Sequence, residues 1–128
     1  LAYSNLGEVQ KAIGYYEEAL KIKREIGDRR GEGTALGNLG IAYKNLGEVR
    51  KAIGYYEEAL KIKREIGDRR GEAIDSWNLG LIYGKQGDLA RAVELMQVCV
   101  DYERAIGDPD AEKDAARVEE IRRRMAGG

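Results

Sequence analysis

The sequence predicts an all-α protein, a solenoid of stacked antiparallel helix hairpins, and three observations carry that prediction. Gly7, Gly47 and Gly87 recur every 40 residues, as do Tyr3, Tyr43 and Tyr83, and Ala12, Ala52 and Ala92, so the chain is an internal repeat. Each period holds two runs of apolar residues at helical spacing. A glycine follows each run, where a helix end accommodates it best. The copies are close: residues 11–32 are identical to 51–72, and within 1–32 only Leu1, Ser4 and Gln10 differ from Ile41, Lys44 and Arg50. Such fidelity points to recent duplication or design.

Within one repeat, Leu36, Leu39, Ile41, Ala42 and Tyr43 mark a first helix of three to four turns, closed by Asn45-Leu46-Gly47. The second helix is expected from about Glu48 to Ile66, with Val49, Ala52, Ile53, Tyr56, Ala59, Leu60 and Ile66 on one face. Gly67-Asp68 ends it, and a short link from Asp68 to Gly71 folds the next helix back antiparallel. A glycine inside a helix costs up to about 1 kcal/mol against alanine, so the recurrent Gly40 and Gly80 are expected to be notches where two helices approach closely. One hairpin cannot hide its whole apolar stripe, so each leans on its neighbours. The expected organisation is one domain over 1–128: a truncated repeat at 1–32, full repeats at 33–72 and 73–108, and a capping helix at 109–126.

The composition narrows function by exclusion. The 22 Lys and Arg nearly cancel 23 Asp and Glu, leaving a formal charge of −1 and no bulk attraction to nucleic acid or anionic membrane. No apolar run approaches the ~18 residues of a membrane span. The chain lacks His, a phosphate-cradling glycine loop after a strand, and a Cys/His ligand set, so neither catalysis, a metal nor a cofactor is expected. The lone Cys99, between Val98 and Val100, reads as a small buried side chain in a reducing, cytoplasmic setting. The chain starts at Leu1 inside a repeat, which suggests a piece of a longer protein.

Leu36-x2-Leu39-Gly40-x2-Tyr43 followed by Ala52-x3-Tyr56 and Ala59, repeated as Leu79-Gly80-x2-Tyr83, Ala92 and Met96, resembles the tetratricopeptide repeat. Two departures stand out. Ser76 occupies a position usually filled by a large residue, and Arg24 and Arg64 replace the proline that usually ends the second helix. Six residues beyond the usual period of ~34 add about 9 Å of helix if all are helical. The long repeat with its Glu-Ile-Gly-Asp-Arg link is similar to those of cell-polarity adaptors, kinesin light chains and bacterial signalling arrays.

The resemblance implies a right-handed superhelix whose first helices line a concave groove for a peptide or extended segment of another protein. Its motif places Thr34, Gly37, Asn38, Ile41, Lys44 and Asn45 in that groove, then Ile74, Trp77, Asn78, Leu81, Gly84 and Lys85. The partner-binding set is Asn38, Ile41, Asn45, Trp77, Asn78, Leu81 and Lys85. Asn38 and Asn78 match family asparagines that hydrogen-bond a peptide backbone, an amide supplying both donor and acceptor. The clamp that holds chaperone C-termini in one branch of the family falls here on Gly37, Ile41, Asn78, Asp114 and Val118. Only Asn78 agrees, and no cation remains for the carboxylate.

Trp77, the single tryptophan, reads either as an anchor for a partner beside Leu81 and Ile41 or as packing against the adjoining helix. Tyr16 and Tyr56 take the motif's core position, and Tyr15 and Tyr55 are expected between repeats. The Lys-Ile-Lys-Arg-Glu and Asp-Arg-Arg segments read as solvated faces. At the C-terminal end, Asp108 is expected to cap a helix opened by Pro109 and reaching about Met125, with Ala111, Ala115, Val118, Ile121 and Met125 as a narrow apolar stripe. At the other end, residues 1–7 read as the tail of a first helix, leaving the helix Glu8–Ile26 with an open flank. A homo-oligomer joined through that N-terminal face is therefore the alternative function.

Overall fold

Backbone helicity follows the repeat closely. The computed structural model describes residues 3–127, and all six elements in it are helices: α1 (Tyr3–Ile26), α2 (Arg29–Asn45), α3 (Val49–Ile66), α4 (Arg69–Lys85), α5 (Leu89–Ile106) and α6 (Ala111–Ala126). Leu1 and Ala2, part of the expected helix tail, lie outside the described residues. The contacts divide the chain into two compact units, Leu1–Asp68 and Arg69–Gly128. In the first unit α2 packs on both α1 and α3; in the second, α5 packs on both α4 and α6.

The helix ends are built from the expected residues with some shifts. Gly67 adopts the left-handed conformation (φ 71°), which lets the Asp68 amide reach back to the Lys63 carbonyl at 2.9 Å and closes α3. The links after Ile26 and Ile66 are only two residues long, because α2 and α4 begin at Arg29 and Arg69 rather than beyond Gly31 and Gly71. Asp28 makes the early start possible: its carboxylate accepts the Gly31 amide at 2.9 Å and caps α2. That hydrogen bond, assisted by Lys23, also holds the Asp28 carboxyl below its ordinary pKa. The first helices are consequently 17 residues long, nearer five turns than the expected three to four.

Gly7 corrects the reading in the other direction. Gly47 turns the chain with φ 80°, but α1 runs unbroken through Gly7. At the C-terminal end, α6 starts at Ala111, two residues later than expected, and the Asp108 carboxylate accepts the Asp110 amide at 2.8 Å in the turn before it.

Packing bears out the notches. A Cβ on Gly40 would stand 3.0 Å from the Tyr56 ring, and one on Gly80 would stand 2.7 Å from Met96 and 3.1 Å from the Ala92 carbonyl. Around these crossings Leu36, Leu39, Ala52, Tyr56 and Ala59 form the core of the first unit, and Leu79, Ala92, Met96, Val100 and Val118 that of the second. Tyr43 ties α2 to both neighbours. Its hydroxyl donates to Glu17 of α1 at 3.0 Å, and its ring stacks on Tyr55 of α3 with centroids 5.4 Å apart. Tyr55 thus packs inside its own repeat rather than between repeats, while Tyr15 is 74% exposed.

The basic segments do more than face solvent. Glu32 is buried to 8% exposure and is held by Arg24 at 3.1 Å and Arg29 at 3.0 Å. Arg24 also reaches Glu58, and Arg29 reaches Glu65. In the second unit Arg104 makes a two-pronged bond to Glu112 at 3.1 and 3.0 Å. The small Ser76 is fully buried, and its Oγ finds no hydrogen-bond partner.

Three stability tests follow from this packing. Gly40→Ala should cost about 1–3 kcal/mol in urea denaturation, because the added methyl drives into Tyr56. Gly54→Ala, in the middle of α3 with nothing near its added Cβ, should instead stabilise by about 0.5–1 kcal/mol. Ser76→Ala should leave stability unchanged or raise it by about 1 kcal/mol, since it removes an unsatisfied buried hydroxyl.

Candidate partner-binding groove

The apolar stripe of α3 lies under α2, whereas the identical stripe of α1 does not lie under any described helix in the same way. Ala52, Tyr56 and Ala59 are 0–1% exposed, and their copies Ala12, Tyr16 and Ala19 are half-open. A crevice runs beside them between α1 and α2. One recess of about 180 Å³ is lined by Val9, Ala12 and Tyr16 of α1 and by Asn38, Ile41, Ala42 and Asn45 of α2. A second, of about 340 Å³, shares Tyr16 and Asn38 and extends past Ala19, Thr34 and Ala35 to Asp28 and Arg30. Asn38, Ile41 and Asn45 therefore face one hollow together. Gly37 is buried and lines neither recess.

In the second unit, Leu81, Gly84 and Lys85 of α4 line a hollow of about 470 Å³ with Leu89 and Met96 of α5 and Arg117, Glu120, Ile121 and Arg124 of α6. Trp77 is half-buried, and the Arg117 guanidinium lies 5.4 Å from its ring centroid, a cation–π contact. Asn78 is half-buried on the same helix and does not line that hollow. Ile74 is 48% exposed. Asp114 and Val118, two positions of the carboxylate clamp, are otherwise engaged: Val118 is core, and Asp114 is hydrogen-bonded to Glu103.

Sequence reasoning missed the second wall of each hollow. An open flank on α1 was legible, but Tyr16, expected in the core, is half-open, and that Val9, Ala12 and Tyr16 share a crevice with Asn38 and Ile41 depends on how α1 and α2 cross. The α6 contribution had a weaker signal, a charged face on a terminal helix.

Three titratable groups outside these hollows are shifted by their surroundings. Burial pushes the Cys99 thiol up to about 12, and Glu103 and Asp114 nearby reinforce the shift. Burial, aided by Glu17, raises Tyr43 to about 12. Glu103 rises to about 7, first through desolvation and then because its protonated form donates to Asp114 across the α5–α6 contact. No group of ligating side chains among the described residues is arranged to hold a metal ion. No described helix is long and apolar enough to cross a membrane.

These features define a class before a family: an all-α helical-repeat protein whose paired helices leave open crevices lined by apolar and amide side chains. The tetratricopeptide repeat pattern matches residues 1–65 and 45–105, and the chain belongs to that family. A crystal structure of BtubC (BKLC) from P. vanneervenii, a kinesin light chain-like protein, superimposes with a TM-score of 0.61 at 28% identity. The match covers 98% of this chain and 61% of that one, so the present chain spans less than two thirds of that protein's length. Comparison with curated proteins by sequence gives no significant match. Repeats of this family form helical scaffolds and generally mediate protein–protein interaction.

The shared proton of Glu103 gives a pH test. The unfolded chain releases that proton near 4.5 and the folded chain near 7, so its stabilising effect is complete below about 4.5 and is lost as pH rises to 7. Glu103→Gln should remove this component. The urea midpoint of the variant minus that of the parent chain should increase between pH 4.5 and 7 and then level off.

Proposed function

We propose that the chain is a non-catalytic adaptor that binds a peptide or helical segment of another protein along the groove side of its first helices. Asn38, Ile41 and Asn45 serve one unit, and Trp77, Asn78, Leu81 and Lys85 the other. The observation carrying this reading is the α1–α2 crevice, in which three of these side chains meet the half-open Ala12 and Tyr16. The mechanism is complementary burial: apolar walls exclude water and amides satisfy the backbone of the guest. A near-neutral chain fits a protein partner better than nucleic acid, and a single buried thiol fits a cytoplasmic setting.

A second reading, self-association through the N-terminal face, is favoured by the exposure of Ile22 (46%) and Ile26 (66%) on α1. Solution mass across concentration separates the two. For the first reading, a partner captured by the 128-residue chain should be lost by the triple variant Asn38→Ala, Ile41→Ala, Asn45→Ala while helicity is retained. Equal retention of partners by the variant would move binding away from the groove. A concentration-dependent dimer with no captured partner would favour the second reading.

A further inference from the structure

The hollow of the second unit carries charge that the repeat does not prescribe. Its three walls, α4, α5 and α6, all belong to that unit, and α5 packs on both of the others. The floor is apolar: Leu81 of α4, Leu89 and Met96 of α5 and Ile121 of α6 line a volume of about 470 Å³. Lys85, Arg117 and Arg124 stand round it, against a single carboxylate, Glu120. In the repeat, Arg117 corresponds to Gly37 and Trp77, and Arg124 to Lys44 and Gly84, so the pair of arginines is particular to α6. Three other arginines of the unit have carboxylate partners: Arg104 holds Glu112 at 3.0 Å, Arg91 meets Asp88 at 3.6 Å and Arg122 meets Glu119 at 3.8 Å. Among the described residues Lys85, Arg117 and Arg124 make no ion pair, and Arg117 rests on the ring of Trp77. Lys85 and Arg124 lie in the last turns of their helices, where a cation suits the helix dipole; Arg117 stands in the middle of α6, where that effect has faded.

We infer that this hollow takes an acidic segment of a partner protein, one that sets a large apolar side chain on the floor with carboxylates on either side, and that Arg117 and Arg124 select it. Arg117, Ile121 and Arg124 fall at i, i+4 and i+7 on one face of α6. The two arginine positions are therefore about 10 Å apart along the axis, with the apolar residue between them. On an extended guest that span is about three residues. Lys85 brings a third cation from the wall of α4. A lone terminal carboxylate would meet one of the three cations, whereas two or more acidic side chains meet the set. As the apolar side chain is buried it displaces water, which strengthens the pairing of the charges around it. None of the three cations stands at a position of the chaperone-tail clamp, which falls on Gly37, Ile41, Asn78, Asp114 and Val118. The residues lining the hollow include no aromatic side chain for base stacking, which favours a peptide over a nucleic acid. The chain as a whole carries a formal charge of −1, so the attraction is local and not a bulk property. The inference rests on the proposed adaptor function and deepens it by naming the chemistry of the guest; it also gives α6, expected as a cap, a part in binding.

The test selects random peptides displayed on phage against the intact chain and, in parallel, against the double variant Arg117→Glu, Arg124→Glu, whose changes lie at exposed positions outside the core. The intact chain should enrich sequences with two or more Asp or Glu around a large apolar residue, and the double variant should not. A fluorophore-labelled synthetic copy of the enriched peptide, followed by anisotropy, should bind the double variant about tenfold more weakly at equal helicity. Added salt should shrink that difference. Glu120→Gln, which removes the one carboxylate of the rim, should tighten binding about two- to threefold, a gain that mere structural disturbance would not give. Backbone NMR shifts should centre on Leu81, Leu89 and Ile121. No enrichment, enrichment of sequences without acidic residues, or equal enrichment on both chains would each overturn the inference. So would a chain that sediments as a dimer and becomes a monomer in the double variant, because a second copy would then fill the hollow. If acidic peptides fail while a captured partner still depends on Asn38, Ile41 and Asn45, the acidic-guest inference falls and the adaptor reading stands.

Discussion

The distance between paired helices is the constraint on which the rest depends. Gly40 lets α2 sit directly on the face of the Tyr56 ring, and Gly80 does the same for α4 over Met96 and the Ala92 carbonyl. At that separation the alanines at positions 52, 59 and 92 lose all solvent exposure. Tyr43 then stands close enough to donate to Glu17 on one side and stack on Tyr55 on the other. A larger residue at either notch would push the pair apart and loosen each of these contacts together, since packed interiors yield little to added volume. Substituting Met96 for the tyrosine of the other copies keeps the notch filled with a more adaptable side chain.

Charged groups organise the ends of the helices. Where a proline would usually stop the second helix, Arg24 lets it continue and brings a guanidinium to the buried Glu32, with Arg29 completing the pair. A buried carboxylate with two cationic partners avoids the penalty of burying a lone charge. In the second unit Arg104 and Glu112 join α5 to α6, while burial first and then the hydrogen bond to Asp114 favour the protonated form of Glu103. The last helix is thus held by a polar seam as well as by Ala111 and Val118, which suits an element whose outer face is charged.

Residues 11–26 and 51–66 are identical, yet the stripe of α3 is covered by α2 while its copy on α1 is half-open. The crevice beside α1 has walls of apolar and amide groups, and repeats of this family generally mediate protein–protein interaction.

The helix count, the order of hairpins, the two notches and the burial of Cys99 were all legible in the sequence, because each depends on local periodicity or on a residue type repeated at a fixed interval. The family pattern added expected groove positions. Tertiary structure decided the remainder. Gly7 and Gly47 have nearly identical surroundings in sequence, yet Gly47 turns the chain with φ 80° while α1 runs unbroken through Gly7. The early start of α2 depended on Asp28 reaching the Gly31 amide, and the place of Tyr55 on the ring of Tyr43 in its own repeat. Identical residues on α1 and α3 differ in burial because burial belongs to the pair of helices and not to either one. Local patterning therefore determined which residues form helices and which face is apolar, while the neighbour present at each face decided whether that surface became core or groove.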